Sequence, residues 1–68
     1  MVKAIIREWG RKYYYIRNPK DHDGIYDLMM TITDEDHEIS SDAASWCELA
    51  RIGETYEFRE GYIELEEV

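Results

Sequence analysis

Cysteine and proline occur once each in these 68 residues, and glycine only four times. The lone Cys47 excludes an internal disulfide framework. With a single Pro and 13% aromatic residues, the composition is the wrong mix for intrinsic disorder. No stretch approaches the roughly 18 apolar residues that a membrane-spanning helix requires. Cations are scarce, since 8 Lys and Arg face 16 Asp and Glu for a net charge of −8. That balance keeps the chain in solution and disfavours non-specific attraction to nucleic acid or anionic lipid. The signatures of chemistry are missing as well: no Gly-rich phosphate cradle, no Gly-x-Ser-x-Gly elbow and no spaced Cys/His set occurs. The expectation is a non-enzymatic protein with no cofactor.

What remains fits one small α+β domain spanning residues 1–68. A chain of this length buries only about 60% of the surface it exposes when unfolded, so its core must be thin. The start, Met1-Val2-Lys3, lacks the apolar run of a signal peptide, and a lone thiol suits a reducing compartment. A cytoplasmic location is therefore expected.

Hydrophobic spacing divides the chain into elements. Val2, Ala4 and Ile6 alternate with Lys3, Ile5 and Arg7 and predict a strand. Trp9-Gly10-Arg11 interrupts it, and the Tyr-rich stretch from Lys12 to Arg17 predicts a second. The run from Asn18 to Gly24 holds Asn-Pro and Asp-Gly and reads as a loop. From Ile25 to Thr33, the residues Tyr26, Leu28, Met30 and Ile32 make one apolar face of a third strand. After the polar turn Asp34–His37, Ser40-Ser41-Asp42 offers a helix N-cap. Ala43, Trp46, Cys47 and Ala50 then recur at helical spacing, and Gly53 stands where a helix end favours a left-handed residue. Thr55–Arg59 and Tyr62–Glu67 complete five strands, with Tyr56, Phe58, Ile63 and Leu65 inward. The order β-β-β-α-β-β fits a small, partly open barrel of the oligonucleotide/oligosaccharide-binding type. It fits equally a five-stranded antiparallel sheet with one helix packed across it.

Charge is segregated along this order. Residues 1–20 hold six cations and one acid, a net +5, whereas residues 21–68 hold two cations and fifteen acids, a net −13. Asp21-His22-Asp23 and Asp34-Glu35-Asp36-His37 contain metal-ligand types. A nine-residue strand between them would hold them about 30 Å apart, and Ile25 breaks the calcium-loop pattern, so no metal site is expected. Cys47 lies on the apolar stripe beside Trp46, where a thiol behaves as a small hydrophobe.

Two binding chemistries are left. If Tyr14 and Ile16 point inward, Arg11, Tyr13, Tyr15 and Arg17 line an outer face that alternates cation and aromatic, as a stacking platform for single-stranded nucleic acid requires. The opposite parity would bury Tyr13 and Tyr15 and leave the cations to neutralise acidic strands nearby. The net charge also repels a polyanion. The alternative is protein association through acidic surface, with Glu35, Asp36, Glu64 and Glu66 as the contact residues and a protein with a basic surface as partner. Small acidic proteins that set carboxylates where phosphates would lie can occupy a nucleic-acid groove on another protein, as inhibitors from viruses and mobile elements do. An acidic surface also serves solubility alone. The thin core and open sheet edges are compatible with a homodimer.

Overall fold

The computed structural model describes residues 1–10 and 14–68. Two hairpins enclose a pair of helices, in the order β1 (Val2–Glu8), β2 (Tyr14–Arg17), α1 (His22–Ile32), α2 (His37–Leu49), β3 (Thr55–Phe58) and β4 (Gly61–Glu67). The strands pair antiparallel in the order β2-β1-β4-β3, which puts the first and last strands at the centre. The architecture is α+β with an antiparallel sheet, as the hydrophobic pattern suggests. Among the described residues there are four strands and two helices rather than five and one, and the strands form an open sheet in place of a barrel.

The missing strand is α1. The segment from Ile25 to Thr33 satisfies both periods, because six of its nine positions are apolar and they include Tyr26, Leu28, Met30 and Ile32 at alternate positions and Ile25 and Met29 four apart. Ile25 and Met29, four apart, are both fully buried. Leu28, Met29 and Met30, none of them branched at Cβ, favour a helix over a strand. The start is fixed by Asp21, whose carboxylate accepts the Gly24 N–H at 3.1 Å. The helix also brings Asp21–Asp23 and Asp34–His37 closer than a strand would. Its 11 residues rise about 1.5 Å each, so the two clusters stand about 16 Å apart, at opposite ends of α1.

Helix α2 likewise starts earlier than Ser40. Asp36 is its N-cap and accepts the Ile39 N–H at 3.0 Å, while Ser40 lies buried within the helix. The helix ends at Ala50, ahead of Gly53.

Both helices cover one face of the sheet. Register sets Ala4 opposite Leu65 and Ile6 opposite Ile63, and these four pack with Ile25, Met29, Ala43, Ala44, Cys47 and Phe58 as the core. The other face carries Lys3, Ile5 and Arg7 from β1, with Tyr62, Glu64 and Glu66 from β4. Among the described residues, no helix is long and apolar enough to cross a membrane.

Candidate functional site

The helical layer concentrates negative charge. Residues 21–50 contain nine Asp and Glu and not one Lys or Arg. Because the apolar stripes of α1 and α2 face the sheet, these acids fall on the solvent side, and Asp23, Asp27, Glu38 and Asp42 are all exposed. Among the described residues, the one ion pair between a carboxylate and a Lys or Arg is Arg7–Glu64, at 3.0 Å. Among the described residues, no Lys or Arg pairs with an acid of the helices, and His22 approaches Asp23 at 3.8 Å.

The turn between the helices has an uncommon backbone. Asp34 and Glu35 both adopt left-handed conformations, with φ of 56° and 67°. Asp tolerates this region, while a Glu there is rare. The geometry is held by the Glu35 N–H, which donates to the Met30 carbonyl at 2.7 Å. The buried Thr33 hydroxyl donates to the Met29 carbonyl at 2.6 Å and accepts the Asp36 N–H at 3.2 Å. Tyr26 and His37 add a 2.7 Å hydrogen bond between the helices. Glu35 thus extends its carboxylate into solvent, while the Asp36 carboxylate is engaged in capping α2.

The other two acids of the expected contact set lie on the open sheet face. Glu64 is held by Arg7, and Glu66 is exposed opposite Lys3. The four residues accordingly divide into two pairs on different layers of the molecule.

The nucleic-acid set is distributed differently from its expected face. Tyr15 stands opposite Ile6, packs against the core and donates its hydroxyl to Glu8 at 3.2 Å. Arg17, opposite Ala4, shares that side of the sheet. Arg11 and Tyr13 lie outside the described residues. The open face receives Tyr14 and Ile16 instead, which are 61% and 54% exposed. There Arg7 sits between two phenol rings, 5.9 Å from the centroids of both Tyr14 and Tyr62. Trp9 continues the stack, 5.0 Å from Tyr62. Arg7 and Tyr62 were not apparent from the sequence, since their neighbourhood depends on the pairing of β1 with β4. The one available signal was the position of Arg7 on the strand face opposite Ala4 and Ile6.

Burial pushes the Cys47 thiol up to about 12, so it carries almost no thiolate near neutral pH. No group of three or more His, Cys, Asp or Glu among the described residues is arranged to hold a metal ion. The surface chemistry on offer is acceptance of cations by the helical layer and stacking on the open sheet face. No family model matches the chain, and neither a curated protein nor a solved structure shows significant similarity to it.

Proposed function

We propose that the chain is a non-enzymatic protein-interaction module that docks its acidic surface onto a basic surface of another protein. One observation carries this reading: nine carboxylates and no Lys or Arg between residues 21 and 50, unmatched by any Lys or Arg ion pair among the described residues. Fixed, solvent-facing charge of one sign raises the rate of encounter with an oppositely charged partner. A nucleic-acid groove on another protein offers such a surface, and occupying it would make the chain an inhibitor.

The test is partner capture followed by kinetics. Glu35→Lys, Asp27→Lys and Glu66→Lys reverse exposed charges, whereas Asp36→Asn removes charge and keeps the N-cap acceptor. Combined, they are expected to slow association with the captured partner by about tenfold or more at low salt and to flatten its salt dependence. Unchanged capture and unchanged kinetics would refute the acidic-surface reading.

A second reading rests on the open face. Exposed Tyr14 and Trp9, with Arg7 between rings, have the components of a platform for single-stranded bases. Glu57, Glu64 and Glu66 on the same face oppose it. Labelled single-stranded DNA and RNA titrated at about 50 mM salt separate the two readings. Binding that disappears with Tyr14→Ala favours the platform, and no binding removes it.

A further inference from the structure

Helix α2 and strand β3 leave a groove between them. Two adjoining hollows of about 450 and 360 Å³ share Asp42, Ser45 and Tyr56. Glu38 lines one end, and Trp46, Leu49 and Glu54 line the other, with no Lys or Arg among the lining residues. The end nearer Leu49 is the more apolar, with Trp46, Leu49, Ala50 and Tyr56, while Ser41, Ser45 and Asp42 make the other end polar. The Tyr56 ring lies 5.7 Å from that of Trp46, and its hydroxyl donates to the Asp42 carboxylate at 2.9 Å. Leu49, at 85% exposure, adds an aliphatic side chain to the rim.

Beside this groove runs a free sheet edge. The connection Arg59–Glu60 closes the β3–β4 hairpin on the pair Phe58–Gly61. Bonded and non-bonded pairs alternate along an antiparallel ladder, so Tyr56–Ile63 is bonded and Thr55 and Glu57 turn their N–H and C=O groups outward. The Trp9 N–H donating to the Glu60 carbonyl on the opposite side of β4 agrees with this phase. β3 is the last strand of the sheet, and nothing among the described residues pairs with its outer edge.

We propose that this edge and groove together take up an extended segment of a basic partner protein as a fifth strand. The segment would alternate apolar residues with Lys or Arg. This rests on the acidic-docking reading and gives it a site. Side chains of an added strand point alternately to either side. One set lies over Trp46, Tyr56 and Leu49, between the carboxylates of Asp42 and Glu54, and the other lies beside Glu57 on the open face. An inserted helix would leave the outward groups of Thr55 and Glu57 without partners. A polyanion would meet only carboxylates. Four strand residues give a small interface, so the complex should be weak and transient.

The probe is a capped peptide of alternating Lys and Val, titrated into the isotopically labelled protein and followed by amide NMR. The expected result is saturable shifts centred on Thr55, Glu57 and the Trp46 indole, with slowed exchange of the Thr55 and Glu57 amides. Methylating alternate peptide nitrogens should abolish binding, and Asp42→Lys with Glu54→Lys should weaken it about tenfold. Shifts confined to residues 34–38 would overturn the groove while leaving acidic docking intact. Equal binding of a Thr/Val peptide would keep the added strand and refute the charge reading on which it rests. Absence of binding by either peptide would overturn the proposal.

Discussion

Replacing Gly61 by alanine is expected to lower stability by about 2–3 kcal/mol, in the upper range for forcing atoms into a packed site. A Cβ at this position would collide with backbone, namely the Arg7 carbonyl and the Glu8 Cα, and not with a side chain that can swing away. Gly61 pairs with Glu8 where β4 leaves its hairpin, so relief would require the two central strands to part. A domain of this size has in total only about 3–10 kcal/mol. The expected fall in melting temperature is about 10–20 °C, read by circular dichroism. Gly10→Ala provides the contrast. Its φ of +76° makes alanine uncomfortable, yet a Cβ there meets none of the described residues within 4 Å. It should cost about 1–2 kcal/mol through the backbone alone. Equal effects at the two positions would contradict the close approach of β1 and β4.

Ile6→Ala should be at least as damaging, at about 2–5 kcal/mol. Ile6 is fully buried at the middle of β1, between Tyr15 on β2 and Ile63 on β4. The large, fully buried side chains around it are few, and Ile25, Met29 and Ile63 cannot all shift to fill the hole. Denaturant titration should show an early midpoint with an unchanged slope. Ile16→Ala, on the open face, should stay within about 0.5–1 kcal/mol. If the two variants unfolded at the same denaturant concentration, the helices would not be covering the face of β1 that bears Ile6.

These two positions show what the sequence could and could not reveal. The alternation of Val2, Ala4 and Ile6, and of Ile63 and Leu65, identifies both central strands and their buried sides, because a half-covered sheet demands a period of two. For Ile25–Ile32 the pattern is degenerate. Alternate and every-fourth positions are both apolar, and the deciding signal was Asp21, whose capping role is indistinguishable from turn chemistry until Gly24 is seen to donate to it. The same ambiguity affected β2, where four consecutive bulky residues leave its parity open until Tyr15 is seen opposite Ile6. Acidic character was legible from composition. Its concentration on one layer was not, because that follows from two helices turning their apolar stripes the same way. The groove at Trp46 and Tyr56 was equally hidden, since it joins residues of different elements.

The central β1–β4 pair also has a consequence for the order of folding. Each hairpin forms from neighbouring segments, yet the contact that unites them links Val2 with Glu67. A nascent chain can make the first hairpin and both helices on the ribosome, but Ile6 has no Ile63 beside it until the last strand emerges. High sequence separation at the core slows the final step, and the helical pair must wait half-covered for its sheet. During that interval, repulsion among the nine carboxylates of residues 21–50 should oppose association between unfinished chains.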